Sequence, residues 1–94
     1  DGVEVDNVYH DNIVKVNINQ GSRKIFGRDF RKEDFKKQVP HEFLKQSILS
    51  DIVFRKVDAD GVHYRVVLAM PDSSMSYQVE IIISREGKMT IRKS

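Results

Sequence analysis

The stretch IVFRKVDADGVHYRVVLAMPDSSMSYQVEIIISREGKMTIR, residues 52–92, decides how this chain folds. Within it Val62, Tyr64, Val66, Leu68 and Met70 alternate with His63, Arg65, Val67 and Ala69. Tyr77, Val79, Ile81 and Ile83 likewise alternate with Gln78, Glu80 and Ile82. Successive side chains of an extended strand point to opposite faces, so a period of two sends one set to a core and the other outward. Asp58-Ala59-Asp60-Gly61 and Arg85-Glu86-Gly87-Lys88 fall between the runs, where glycine takes up a positive φ without a Cβ clash. The stretch reads as four strands joined by turns, and it commits most of its apolar residues to a sheet rather than to a reactive site.

Upstream, Val14, Val16 and Ile18 alternate with Lys15 and Asn17. Gln20-Gly21-Ser22 turns the chain, and residues 23–30 return as a second strand, which makes a hairpin. The period then changes. Phe35, Val39, Phe43, Leu44 and Ile48 follow a helical stripe, interrupted by Pro40, which a helix accepts only in its first turn. Two short helices are expected, over about 32–37 and 40–49. Residues 1–11 are acidic with weak alternation at Val3 and Val5, either a loose leader or a short edge strand.

The predicted order is β-β-α-β-β-β-β. The fold class is α+β: a mostly antiparallel sheet of five or six strands with a short helical segment on one face. The connections are compatible with an open sheet, a curled one, or two layers. The predicted core is Val14, Val16, Ile18, Phe35, Phe43, Leu44, Ile48, Ile52, Phe54, Tyr64, Val66, Leu68, Tyr77, Val79, Ile81, Ile83, Met89 and Ile91.

Ninety-four residues suit a single domain over 1–94 with one modest core. Apolar residues at 39% beside 32% charged ones are the balance of a globular chain, not a disordered one. No apolar run approaches the roughly 20 residues of a membrane helix. The absence of cysteine removes disulfides, thiolate nucleophiles and cysteine-ligated metals together. The net charge of +2 is unevenly spread: residues 1–12 carry −4 and residues 21–45 carry +4. Such asymmetry steers partners.

No catalytic constellation is present. Asp58-Ala59-Asp60-Gly61-Val62-His63 imitates a calcium loop, but Gly61 directly follows Asp60 and Lys56 stands where a first ligand belongs. A hairpin turn with solvated carboxylates is the better reading, so neither a metal nor a cofactor is assigned. His10, His41 and His63 lack metal-binding spacing, and no serine stands in a nucleophile motif. Two candidate surfaces are left. One is the basic segment of Arg23, Lys24, Arg28, Arg31, Lys32 and Lys36, interleaved with Phe26 and Phe30 in the manner of a phosphate-contacting, base-stacking strip. Asp29, Glu33 and Asp34 dilute its potential, which argues against nucleic acid. The other is Val67, Ala69 and Ile82, apolar residues on the face away from the core, as a small partner surface or a site of weak self-association.

Lys24-Ile25-Phe26, Asp29-Phe30, Asp34-Phe35, Val39-Pro40, Phe43-Leu44 and Ser47-Ile48-Leu49, with the Asp58–Gly61 turn and the Ile83–Lys88 hairpin, resemble an uncharacterised family of small Bacteroidetes lipoproteins. The resemblance covers roughly residues 13–92. It implies a secreted envelope protein, periplasmic or anchored at the outer membrane by a lipidated cysteine upstream of residue 1. It carries no catalytic or binding residues. The expected function is a non-catalytic envelope module that binds a protein or glycan, as a monomer or weak homodimer. The alternatives are a polyanion or nucleic-acid binder through residues 23–37, and an enzyme assembled from dispersed residues.

Overall fold

The computed structural model describes residues 2–93. Asp1, the first residue of the acidic leader, and Ser94 lie outside them. Seven strands form two antiparallel meanders. The first sheet is β1 (Glu4–His10), β2 (Ile13–Gln20) and β3 (Arg23–Phe30), in that order. The second is β4 (Ile48–Asp58), β5 (Gly61–Ala69), β6 (Ser76–Ile83) and β7 (Met89–Lys93). Between them lie one 3-10 turn, Lys32–Phe35, and one short helix, α1 (His41–Gln46).

This corrects the expected single sheet of five or six strands with a helix on its face. The alternation of β5 and β6 is as read, but the segment from 31 to 47 carries the chain from one layer to the other instead of covering a continuous sheet. Both helical pieces are shorter than expected. The Ser47 amide and hydroxyl both donate to the Leu44 carbonyl, 3.2 and 3.0 Å, and close α1 there. Ile48 therefore opens β4, paired with Ala69, rather than ending a helix.

The layers share one core. Val14, Val16, Ile18 and Phe30 of the first sheet are buried with Leu49, Ile52, Tyr64, Val66, Leu68, Val79, Ile81 and Ile83 of the second. Phe35, Val39, Phe43 and Leu44 plug the end where β3 leaves and β4 enters. Their rings extend existing stacks: Phe26, Phe30 and Phe35 follow at centroid spacings of 6.3 and 6.0 Å, and Phe43 tilts against Tyr77 at 4.6 Å. Flanking contacts tie the edges of the layers. The Asn7 side-chain amide donates to the Ile52 carbonyl at 2.7 Å, the Tyr9 hydroxyl bonds the Asp51 carboxylate, and Arg28 reaches Met89.

Register explains where the core list needs correction. Phe54 pairs with Tyr64 and Tyr77 with Leu68, so both belong to the inward face, yet each is exposed, although Tyr77 has the Phe43 ring against it and Phe54 meets Tyr64 edge-on. Ile48 is exposed because its partner Ala69 faces outward. Met89 and Ile91 on the edge strand β7 are half-buried. In exchange Phe30, Val39 and Leu49 are buried core residues that the alternation alone does not single out, and Val62, which the alternation places on the inward face, is buried as well.

Candidate functional site

The ends of β2, β4 and β6 and the starts of β1, β3 and β5 converge on one opening. Val3 before β1, Ile25 in β3, Val57 at the end of β4, Val62 in β5 and Ile83 ending β6 line a cavity of about 320 Å³ between the layers. Gln20, Ser84 and Arg85 stand at its polar parts. A volume of this order with a mainly apolar wall is the lower end of what small ligand pockets offer. Arg85 is exposed and has no ion-pair partner among the described residues. The opening therefore combines a greasy recess with a free cation.

The wall of this cavity depends on an irregularity in β4. Phe54 pairs with Tyr64 and Lys56 with His63, so Arg55 is an extra residue, a β-bulge. The bulge reverses parity: Lys56 comes to lie over His63 on the outer face, and Val57 turns inward beside Val62. Gly61, at φ +128, starts β5 hard against the backbone at the end of β6.

On the outer face of the second sheet His63 is the exception among polar side chains, with only 4% of its side chain exposed. Its Nδ1 lies 2.8 Å from Glu80 Oε2 and its Nε2 lies 2.8 Å from Asp58 Oδ1. Two carboxylates accept and do not donate, so the ring satisfies both only with a proton on each nitrogen. The Glu80 carboxylate, followed by Asp58, holds the His63 pKa above its usual value against the opposing effect of burial. Reciprocally, His63 draws the Asp58 carboxyl down to about 2, with help from the Asp60 amide and Lys56. His63 and then Arg92, whose Nε sits 2.7 Å from Glu80 Oε1, lower Glu80 as well.

The basic segment does not assemble as a strip. Arg28 is turned over the Phe30 ring at 5.0 Å and pairs with Asp34 at 3.0 Å. Lys32 donates to the carbonyls of Lys45 and Ser47, 3.3 and 3.0 Å, bracing the entry to β4. Arg23, Lys24, Arg31 and Lys36 are exposed, but they are spread from the start of β3 past the 3-10 turn. Phe30 is buried and Phe26 packs against the core, so neither offers a stacking face to a base.

Val67, Ala69 and Ile82 share the outer face of the second sheet, but not one patch. Val67 pairs with Gln78, four positions along β6 from Ile82, or about 13 Å at the usual strand rise. Val67 and Ala69 are half-buried, with Ala69 next to exposed Ile48. Ile82 is itself buried, opposite His63.

The residues of the opening escape sequence reasoning because they come from five strands of two layers. Their one local signal is an apolar residue directly beside a turn, as with Val57 before Asp58 and Ile83 before Ser84. The His63 cluster had a signal too: a histidine and a glutamate in the outward sets of neighbouring strands.

Among the described residues, no helix is long and apolar enough to cross a membrane. No curated protein matches the sequence. The pattern of one family covers residues 1–91, nearly the whole chain, and the chain accordingly belongs to the family described as Domain of unknown function (DUF4738).

Proposed function

We propose that this domain is a non-catalytic protein-binding module that takes one large apolar side chain of its partner into the opening between the layers. The observation that supports it is the cavity of about 320 Å³ walled by Val3, Ile25, Val57, Val62 and Ile83. Binding energy in such contacts concentrates in an anchor side chain buried in a preformed recess. Arg85 at the opening favours an acidic residue next to that anchor. A glycan fits less well, since sugar faces stack on aromatic rings and the cavity wall has none. The ion-paired Arg28 and the carbonyl-bound Lys32 weigh against polyanion binding through residues 23–37.

The cellular setting of this reading is the envelope, periplasmic or outer-membrane anchored, supported by the resemblance of residues 13–92 to small Bacteroidetes lipoproteins. Acyl-probe labelling of the full-length precursor tests the setting, and a precursor that takes no lipid removes the anchor from the proposal. The binding role is tested by selecting random peptides on the immobilised domain. Enriched sequences should carry one large apolar residue beside Asp or Glu. Val57→Arg should abolish their binding, and Arg85→Glu should reverse the charge preference. Peptides that bind Val57→Arg as well as the parent domain overturn the reading.

A further inference from the structure

We propose that Asp58, Asp60 and His63 form a binding site for a divalent metal ion of the zinc type, with Glu80 fixing the imidazole from behind. The site lies on the outer side of the β4–β5 hairpin, away from the apolar opening, and is independent of the binding role above.

One ligand atom from each of the three residues lies within 4.8 Å of the others. Nitrogen and oxygen donors sit about 2.0–2.2 Å from zinc, so neighbouring ligands of one ion are about 3.0–3.5 Å apart. His63 Nε2 and Asp58 Oδ1, at 2.8 Å, already hold that spacing to within a few tenths of an ångström. Asp60 follows in the same turn, whose shape is set by its amide donating to Asp58 Oδ1 at 2.9 Å. Asp60's carboxylate makes no hydrogen bond or ion pair within the described residues, so it is free to move onto an ion.

Carboxylates beside a turn are common without a metal, and Asp58 and Asp60 alone would carry nothing. What distinguishes this turn is the side of His63 that faces away from it. A metal-bound histidine almost always gives its other ring N–H to a carboxylate or carbonyl, which fixes the tautomer and aims the free nitrogen. Glu80 occupies that position at 2.8 Å from Nδ1, and Arg92 anchors Glu80 in turn. A ring with 4% exposure, held from behind and aimed at two carboxylates, is the arrangement that a nitrogen-and-oxygen site requires.

The donor set selects among ions. Calcium and magnesium prefer all-oxygen shells, whereas imidazole with two carboxylates suits zinc and its first-row neighbours. Three protein ligands leave a coordination position for water. On binding, the ion takes the place of the Nε2 proton, which leaves to solvent, while Nδ1–H stays on Glu80. Lys56, whose Nζ is 3.4 Å from Asp58 Oδ2, is a cation beside a ligand carboxylate and must swing away.

The test is titration of the metal-stripped domain with Co²⁺, followed by its visible absorption, and with Zn²⁺ by calorimetry. One ion per domain is expected. His63→Ala should abolish binding. Because that change also removes a buried group, Asp60→Asn serves as the second variant: the residue is exposed, the circular dichroism spectrum should be unchanged, and Co²⁺ affinity should fall at least tenfold. Glu80→Gln keeps the three ligands and should weaken binding about 10–100-fold, the usual cost of losing such an outer partner. Absence of saturable binding to the parent domain, or an unchanged affinity in Asp60→Asn, overturns the proposal.

Discussion

Replacing Gly61 by alanine tests the close packing of β5 against the end of β6 within the second sheet. Gly61 opens β5 at φ +128, a region that residues with a Cβ avoid. A Cβ built there overlaps the Ile83 carbonyl oxygen and lies 2.8 Å from both the Ile83 carbonyl carbon and Ser84 Cα. All three are backbone atoms of the neighbouring strand end, so no side-chain rotation relieves the contact. Holding a non-glycine residue in such a backbone region costs about 1–3 kcal/mol. Forcing the backbone of β6 aside adds about 1–3 kcal/mol, as over-packing does elsewhere. The total of about 2–6 kcal/mol is a large part of the roughly 5–14 kcal/mol that a domain of this size has.

Gly21 supplies the internal control. It also has a positive φ, +62, but a Cβ there meets nothing within 4 Å. Gly21→Ala therefore isolates the left-handed backbone penalty, about 1–2 kcal/mol, partly offset by a stiffer unfolded chain. With a urea dependence of about 1 kcal/mol per molar, Gly21→Ala should lower the unfolding midpoint by about 1 M and Gly61→Ala by about 2 M or more. Midpoints that fall equally would show that the β4–β5 turn does not press on β6, and would refute the steric argument.

Leu68→Ala removes a fully buried side chain and should cost about 2–5 kcal/mol in denaturant unfolding; a loss below about 1 kcal/mol would contradict its place between the layers. Tyr64→Phe deletes a buried hydroxyl that has no hydrogen-bond partner among the described residues, so stability should hold or rise by about 1 kcal/mol. Burial also pushes the Tyr64 phenol up to about 12. The fold thus favours the protonated form: its contribution is full below the unfolded value near 10 and is lost as pH rises towards 12, so Tyr64→Phe should unfold less readily in that window by circular dichroism. Asn7→Ala breaks the 2.7 Å bond from β1 to the Ile52 carbonyl and should cost about 1 kcal/mol. Amide exchange should then speed up in β1 with little change in β5 and β6, and a uniform increase would deny β1 its separate attachment.

The faces of β5 and β6 were legible from period alone, whereas two bulges break the alternation of β4. What the period does not carry is the identity of whatever lies opposite that face. Tyr77 and Phe54 have inward registers and yet remain exposed, although the Phe43 ring tilts against the one and the Tyr64 ring meets the other edge-on. Phe30, interleaved with the basic segment but needed for the core, is the middle ring of a stack that begins at Phe26 and ends at Phe35. Ile82, read as a loose apolar residue on the far face, is buried opposite His63. The break between β3 and β4 was hidden for a similar reason. The residues from 31 to 47 show a helical stripe whether they cover a sheet or plug the end of a sandwich, since both sites ask for one apolar side.

Both candidate regions depend on one hairpin, and the bulge at Arg55 is what allows it to serve both. Strict alternation from Phe54 would turn Lys56 towards the core and Val57 towards water. That would bury an ammonium at the opening and leave Asp58 without the lysine beside it. One extra residue reverses this, so that Val57 joins Val62 at the apolar wall while Lys56 and His63 pair on the outer surface. The turn that follows is then short enough for Asp58 to bond the His63 ring and for an Asp60 carboxylate oxygen to lie within 4.8 Å of both, and Gly61 lets β5 start against β6 without a gap. The Asp-Ala-Asp-Gly sequence is explained as a turn by its composition alone. Its two carboxylates gain a further role only because the bulge before it decides which face the next four side chains occupy.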